Sequence, residues 1–307
     1  MTQPPESGVG GSHPGTGQNP DRPHGWSFDA IGTVWQVDTA EPITPALRSR
    51  LTQRIEEFDR TWSRFRTDSL VARIATTPGR WAFPPDASAL FALYRGLYTA
   101  TDGAVSPLVG RALENLGYDR AYSLLPTGLP TTVPVWDDAV AWDGTALTTL
   151  NPVTLDVGAA GKGYLVDIVS AMLLEGGHHD FIVDASGDIR ALGPKPIRVA
   201  LEHPLDATKA IGIARVHNAA ICSSATNRRA WGNGLHHVID ATTGLPTSSI
   251  IATWAIARTA LEADGLATAL FFGDPDRLAA AFEFTFVRMF SSGRVEFSPQ
   301  FDGELFT

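Results

Sequence analysis

The sequence contains a single cysteine, Cys222, among its 307 residues. One thiol cannot form an intrachain disulfide, which is consistent with a reducing compartment. A secretory signal is missing too, because the N-terminal residues have no apolar core, and no apolar run elsewhere is long enough to span a bilayer. We therefore expect a cytoplasmic protein whose chain carries no membrane anchor.

Basic residues are fewer than acidic ones, 24 against 33, so the formal net charge is −9. Excess negative charge disfavours nonspecific binding to nucleic acid or to an anionic membrane. Residues 1–24 have almost no large apolar side chain and are rich in Gly, Pro and polar residues, which predicts a disordered tail. With 44% apolar content in the chain, residues 25–307 can bury a sizeable core, and a subdomain joint is expected within the loop-rich stretch 117–150.

Helical and strand patterns alternate along the chain without a clear repeat. Thr44 and Pro45 provide an N-cap and an N1 proline for a helix with one apolar side, and a second helix is predicted after Asp86. Further predicted elements are strands at 26–38, 153–155 and 251–257, a helix at 276–282 and a terminal hairpin at 285–297. We predict an α/β (α+β) fold in which helices cover mixed sheets, arranged as two closely packed halves.

The most informative segment is Asp156–Asp167, with the sequence DVGAAGKGYLVD. Apolar residues recur after it with helical spacing as far as Gly176, so small residues and Lys162 lie where a helix begins. Small residues let the backbone approach a ligand, and helix N-terminal amides with an ammonium suit a phosphate. The segment is not a Walker loop, because Gly163 stands where that motif needs Ser or Thr. A turn that only packs tightly explains this segment equally well on its own.

A second informative stretch is 263–270, where Asp264 and Thr268 are four residues apart and share one face of a predicted helix. A carboxylate and a hydroxyl are hard oxygen ligands, suited to Mg²⁺ completed by water and a substrate phosphate. Such pairs more often lie on a solvated face. The neighbours of Asp264 are apolar, which favours the metal interpretation.

Together these segments resemble the ApbE family of FAD:protein FMN transferases. Its members are Mg²⁺-dependent enzymes that split FAD and attach the FMN half to a Ser or Thr hydroxyl of a target flavoprotein. The matching stretches, in the family's order, are 61–69 (SRF…DS), 101–104 (TDGA), 156–167 (DLGAIAKGxxxD), 184–189 (the GGD turn), 237–244 (HIxDPxTG) and 263–269 (ADxxATA).

The resemblance implies a flavin site between the two halves, FAD as the substrate and AMP as the released product. It implies a metal held by the Asp264 carboxylate, the Thr268 hydroxyl and a backbone carbonyl, which here would be that of Gly161. Lys162 would help to neutralise the pyrophosphate, although a surface pair with Asp167 is the alternative for this lysine. The residues expected to contact the flavin substrate are Ser63, Arg64, Asp102, Gly103, Gly158, Lys162, Gly163, Asp167, Gly187, Asp188, Asp240 and Thr243.

The target hydroxyl needs a proton acceptor, and an imidazole that titrates near neutrality suits that task. His237 is the candidate base, and the resemblance points to the same residue. Tandem His236 and His237 could instead bind a metal, but successive residues point to opposite sides of a strand, so we expect His236 to be outward or structural. Asp240 with Thr243 and Gly244 is predicted first as a turn, with a catalytic part for Asp240 as the lesser alternative.

Four positions depart from the family pattern. Ser186 replaces the first glycine of the GGD turn, Ala241 replaces a proline, Ser106 replaces an Asp, and Ala225 replaces a glycine. They concern pocket and turn positions, so they bear on affinity or target choice more than on the reaction class. Three functions stay open: the transferase, a Mg²⁺-dependent FAD pyrophosphatase that gives FMN and AMP, and a flavin-binding protein without catalysis.

Overall fold

The computed structural model describes residues 21–306. The disordered tail predicted for residues 1–24 therefore lies, through residue 20, outside the described residues. The remaining part of that segment is built into the fold. Arg22 is buried, its Nε lies 2.7 Å from the Asp180 carboxylate, and the first strand begins at His24.

Helices and strands are distributed along the whole described region. The helices in residues 21–306 are α1 Pro45–Trp62, α2 Leu70–Ile74, α3 Ala87–Ala100, α4 Gly110–Asn115, α5 Trp136–Ala139, α6 Gly161–Glu175, α7 Ala260–Ala269 and α8 Pro275–Ala281, with a 3₁₀ turn at Pro107–Val109. The strands of the first half are β1 His24–Ala30, β2 Thr33–Thr39, β3 Gly79–Ala82, β4 Val140–Trp142, β5 Ala146–Thr149, β6 Phe181–Asp184 and β7 Ile189–Leu192. The later strands are β8 Ile197–His203, β9 Asp206–Val216, β10 Ala219–Ala225, β11 Ala230–Trp231, β12 Leu235–His236, β13 Ile239–Asp240, β14 Leu245–Pro246, β15 Ile250–Ala257, β16 Phe284–Phe290, β17 Val295–Phe297 and β18 Gly303–Leu305.

An eight-stranded sheet in the order β1-β2-β6-β7-β10-β15-β16-β17 forms the centre of the molecule. Every pairing between the strands of residues 21–306 is antiparallel. The main core joins this sheet to helices α1, α3, α6 and α7, whereas Leu201, Trp254 and Val287 belong to a second core beside the β18-β9-β8 sheet. The predicted α+β class, with helices covering sheets, is confirmed. The sheets of residues 21–306 are antiparallel, so the prediction of mixed sheets is wrong in this respect.

Local sequence signals fix several of these elements. The Thr44 hydroxyl accepts a hydrogen bond from the Leu47 N–H and caps α1, as predicted, and the buried residues of α1 recur at helical spacing. The β16–β17 hairpin is confirmed as well. The prediction of one strand at 26–38 is wrong, because Ile31 and Gly32 have positive φ values of 45° and 78° and turn the chain back into a hairpin.

The stretch 153–155 is also not a strand. It is a buried connection into α6, in which the Val153 N–H donates to the Ile74 carbonyl and the Asp156 N–H donates to the Pro107 carbonyl. The stretch 117–150 is mostly loop, as expected, and includes α5 and the short strands β4 and β5. Across residues 21–306, each helix is too short or too polar to cross a bilayer.

Candidate active site

Helices α6 and α7 meet at Gly163. The Gly163 N–H donates a hydrogen bond to Asp264 Oδ2 at 2.8 Å, and Asp264 is 4% exposed. A Cβ atom at Gly163 would overlap the Ala260 carbonyl oxygen and lie 2.7 Å from Asp264 Cβ, so only glycine allows this approach. Burial, together with the nearby Asp188 carboxylate, raises the pKa of Asp264 well above its ordinary value. The site therefore holds a carboxylate that a cation would stabilise.

Thr268 lies one turn along α7 from Asp264, as the sequence spacing predicts. Its hydroxyl donates to the carbonyl oxygen of Ala159 at 3.3 Å. The carbonyl of Gly161, the first residue of α6, stays a predicted metal ligand. Ala159 precedes the helix, and its carbonyl is the one that faces Thr268.

Lys162 points to the turn between β6 and β7. Its Nζ lies 2.9 Å from Asp188 Oδ2 and donates to the Ala185 carbonyl at 3.0 Å. Burial opposes the positive charge, but the carboxylates of Asp188 and Asp264 outweigh it and raise the pKa of Lys162. The alternative of a surface pair with Asp167 is wrong for this lysine.

Asp167 has a different role in the structure. Its carboxylate accepts the N–H groups of Ala260 and Leu261 at 3.0 and 2.8 Å, and it pairs with Arg190 at 2.9 Å. Burial nevertheless raises the pKa of Asp167. This carboxylate fixes the start of α7 against α6, so it supports the site through the helix that carries Asp264.

Arg64 holds the small-residue turn before α6. Its side chain is 4% exposed, and its Nε lies 2.5 Å from Asp156 Oδ2. Asp156 Oδ1 accepts the Gly158 N–H at 2.7 Å, and the guanidinium of Arg64 lowers the pKa of Asp156 against the opposing effect of burial. The guanidinium also lies over the Tyr118 ring, 5.0 Å from its centroid. Arg64 therefore connects the turn that presents Ala159 to the aromatic cluster beside it.

His237 is half-buried between β12 and β13. Its backbone N–H donates to the Arg229 carbonyl at 3.3 Å, and its imidazole Nδ1 has no hydrogen-bond partner among residues 21–306. Burial, with a smaller contribution from the Arg229 guanidinium, lowers the pKa of His237 to about 3. Arg229 in turn donates to the Tyr118 hydroxyl at 2.8 Å. The imidazole is therefore neutral at physiological pH, with a lone pair available to accept a proton.

The neighbouring His236 is structural. It is buried, its Nε2 lies 2.8 Å from the Thr247 carbonyl oxygen, and its Nδ1 accepts the Val238 N–H at 3.3 Å. Asp240 occupies the turn that the sequence predicts, because its carboxylate accepts the Thr242 N–H at 2.8 Å. Thr243 belongs to the same turn and is exposed.

The remaining candidates lie in different surroundings. Asp102 is on the surface, where it forms an ion pair with Arg277. Ser63 is the C-cap of α1, and Gly103 has a positive φ of 89°. Gly187 has a φ of 102° and donates its N–H to Asp184 at 2.9 Å. Hydrogen bonds from the backbone of α6 to Asp264 and the Lys162–Asp188 ion pair thus connect Asp264, Lys162, Gly163 and Asp188, whereas the Asp102 carboxylate pairs with Arg277.

Two of the departures from the family pattern have direct structural roles. Ser186 adopts a positive φ of 54°, the left-handed conformation that glycine favours, and its hydroxyl donates to the Val34 carbonyl at 2.8 Å. The Ala241 N–H donates to the Ala104 carbonyl at 2.9 Å. A proline at 241 has no N–H, so this backbone link depends on the substitution.

The donor atoms fit a hard divalent cation. Residues 21–306 contain no group of three or more His, Cys, Asp or Glu side chains arranged for a metal. The site offers instead one carboxylate, one hydroxyl and one carbonyl, from Asp264, Thr268 and Ala159. These oxygens suit Mg²⁺ with water and phosphate completing its coordination, and they do not suit a soft metal.

The profile of the ApbE family matches residues 31–287. The chain belongs to the ApbE family. One relative, the FAD:protein FMN transferase of Klebsiella pneumoniae (strain 342), is 27% identical over 277 residues, which cover 80% of this chain and 77% of the relative. The FAD:protein FMN transferase of Treponema pallidum (strain Nichols) is 27% identical over 276 residues, covering 78% of this chain and 76% of its own.

Solved structures of the ApbE family share the fold. The ApbE protein from Thermotoga maritima superposes with a TM-score of 0.78 at 23% identity and covers 90% of this chain and 97% of its own. The flavin transferase ApbE from Vibrio cholerae superposes with a TM-score of 0.74 at 21% identity, covering 91% of this chain and 96% of its own.

Proposed function

We propose that this ApbE-family enzyme is an FAD:protein FMN transferase that uses Mg²⁺ and attaches FMN to a Ser or Thr hydroxyl of a target flavoprotein. The observation that carries the proposal is the contact of the Thr268 hydroxyl with the Ala159 carbonyl, one helical turn from a buried Asp264 carboxylate that acts electrostatically on the Lys162 ammonium. Such a set is suited to a cation that binds a pyrophosphate. The names of the relatives support FAD as the substrate and a protein as the acceptor.

The reaction requires one bond to form and one to break at phosphorus. The acceptor oxygen bonds to the FMN-side phosphorus of FAD, and the bond from that phosphorus to the bridging oxygen breaks, so that AMP leaves. Mg²⁺ at Asp264, Thr268 and the Ala159 carbonyl would neutralise charge on the phosphates. Lys162 adds positive charge on the same side, and the neutral imidazole of His237 accepts the proton of the acceptor hydroxyl.

One observation favours hydrolysis as the competing activity. A base with a pKa of about 3 provides little driving force for taking a proton from an alcohol, whereas a metal acidifies water directly. An acceptor or phosphate near His237 has to raise that pKa for transfer to be efficient. Without an acceptor, the same site would give FMN and AMP.

The test uses the purified protein with FAD and Mg²⁺, with and without a flavoprotein acceptor and with the same acceptor after its Ser or Thr is changed to Ala. Transfer gives AMP together with flavin that stays on the acceptor in a denaturing gel, and the Ala acceptor stays unlabelled. Equal amounts of AMP and free FMN in all three mixtures would show a pyrophosphatase. Flavin binding with no AMP in any mixture would contradict both catalytic functions.

A further inference from the structure

The carboxylate of Asp188 is fully buried and faces Lys162. Its exposed fraction is 0%, and its Oδ2 lies 2.9 Å from Lys162 Nζ. Within residues 21–306 no donor other than this ammonium reaches the Asp188 carboxylate. A side chain with no exposed surface cannot contact FAD, so the direct flavin contact expected for Asp188 does not fit its place in the structure.

Both partners of the Lys162 ammonium come from one tight turn. Asp188 provides a carboxylate and Ala185 a carbonyl oxygen, and the Ala185 N–H donates to the Asp188 carbonyl to close the turn at 2.9 Å. An ammonium has three N–H groups, so it can meet both groups of the turn and still have one for a ligand. The Lys162 side chain is 26% exposed, and among residues 21–306 the ammonium contacts only the Ala185 carbonyl and the Asp188 carboxylate, which leaves one N–H for a ligand.

We propose that Asp188 is a positioning residue that holds the Lys162 ammonium toward the pyrophosphate of FAD. This inference rests on the proposed function, because it takes the pyrophosphate as the ligand of Lys162. The turn acts as a rigid support on β6 and β7 of the central sheet, and it fixes a side chain that otherwise has four rotatable bonds. Preorganised charge of this kind costs no rearrangement when the ligand binds.

The charges around Lys162 predict a specific pattern of melting temperatures among variants. Asp188 and Asp264 both contribute to the electrostatic environment of Lys162. Lys162→Met removes the cation and leaves two buried carboxylates without it, so this variant should lose thermal stability. Adding Asp188→Asn removes one of those charges at nearly constant volume. The double variant should therefore recover much of the melting temperature without recovering the ligand contact.

The experiment compares the wild type, Lys162→Met, Asp188→Asn and the double variant. Melting temperatures are measured in Mg²⁺-free buffer, and FAD affinity is measured with Mg²⁺ by flavin fluorescence, with KM and kcat determined separately. We expect Lys162→Met to weaken FAD binding by roughly 10–100-fold, as for loss of a charged hydrogen bond. Asp188→Asn should weaken FAD binding by a smaller factor, and the double variant should bind FAD as poorly as Lys162→Met does.

Asp184→Asn is the matched control, because Asp184 lies in the same turn and its carboxylate accepts the Gly187 N–H, which an amide oxygen can also accept. It should leave FAD affinity unchanged. The proposal is overturned if Asp188→Asn weakens FAD binding by the same factor with and without Lys162, since Asp188 then acts independently of the lysine. It is also overturned if Asp188→Asn binds FAD normally while Lys162→Met does not.

The proposed function and this inference can fail separately. If the wild type labels an acceptor with FMN but Asp188→Asn is indistinguishable from it in FAD affinity and KM, the positioning role is wrong and the function stands. If the wild type binds FAD without releasing AMP, the function is wrong. The melting temperatures and FAD affinities of the four proteins then still decide whether Asp188 acts through Lys162.

Discussion

The N–H of Gly163 and the carboxylate of Asp264 are joined by a hydrogen bond of 2.8 Å across 101 residues of sequence. This contact places the acidic residue of the candidate metal site at the crossing of α6 and α7. The carboxylate cannot turn away without losing its backbone donor, and the helices cannot separate without moving the carboxylate. The packing of the two helices and the position of the candidate metal-binding carboxylate therefore depend on the same glycine.

Gly163→Ala should destabilise the fold and raise the Mg²⁺ concentration needed for half-maximal FAD turnover. The added methyl group overlaps the Ala260 backbone, and overpacking of this kind typically costs about 1–3 kcal/mol. Urea unfolding and a Mg²⁺ titration of turnover measure the two effects. Gly161→Ala is the control on the same helix, because its methyl group would meet the Val157 side chain at 3.0 Å, and that side chain can shift. Equal losses in the two variants would contradict the special role of Gly163.

Asp264→Asn should melt at a higher temperature than the wild type in Mg²⁺-free buffer. The folded state raises the pKa of Asp264, so it disfavours the ionised carboxylate, and the wild type loses stability as pH rises from the ordinary Asp range up to the raised pKa of the folded state. Mg²⁺ should stabilise the wild type and leave the variant unchanged, and FAD turnover should be abolished in the variant. Glu262→Gln removes a carboxylate from the same helix and should still respond to Mg²⁺. A variant stabilised by Mg²⁺ as strongly as the wild type would exclude Asp264 as a ligand.

Arg64→Lys should raise the Mg²⁺ concentration needed for half-maximal turnover. Lysine has no Nε donor at the position where Arg64 meets Asp156, so the turn that presents the Ala159 carbonyl loses its support. The control is Arg22→Lys, which changes another ion pair of a buried arginine Nε, with Asp180 at 2.7 Å, outside the candidate site. Both variants should lose stability, and only Arg64→Lys should change the Mg²⁺ requirement. The same Mg²⁺ requirement in the two variants would assign Arg64 a purely structural role.

His237 should make stability depend on pH between about 6.5 and 3. Its pKa is about 3 in the folded state against 6.5 ordinarily, so the unfolded chain binds the extra proton first and stability falls as pH falls below 6.5. The loss attributable to this group is about 2 kcal/mol at pH 5 relative to pH 7. Urea unfolding at the two pH values should show this loss in the wild type and a smaller one in His237→Asn. The control His179→Asn, at an exposed position, should behave as the wild type does.

His237→Asn should also separate transfer from hydrolysis. Loss of a general base typically costs about 10²–10⁴-fold, and an acceptor hydroxyl needs that base more than metal-bound water does. Labelling of the acceptor should therefore fall far more than release of AMP without an acceptor, with a partial recovery at raised pH. If FAD affinity falls in parallel with labelling, His237 is a binding residue instead.

The sequence predicts what depends on local patterns. The cap at Thr44 and the shared face of Asp264 and Thr268 follow from rules that act within a few residues, and both are present in the structure. The Lys162–Asp188 pair depends on how a helix meets a turn of the sheet, and no local pattern encodes that contact. The sequence cannot decide between the carbonyls of Ala159 and Gly161, because the start of a helix is uncertain by about two residues, which is the separation of these two positions.

The order of strands in the central sheet determines how early in translation the sheet can form. Strands β1, β2, β6 and β7 can pair as soon as they leave the ribosome. The free edge of β7 cannot pair until β10 has been synthesised, and the free edge of β10 cannot pair until β15 has been synthesised. Helix α7 follows β15, so the face of α6 that carries Gly163 stays uncovered until most of the chain has been translated. A nascent chain therefore has an exposed helix face from the end of α6 at Glu175 to the start of α7 at Ala260, and an unpaired sheet edge during part of that interval, when a chaperone would protect it.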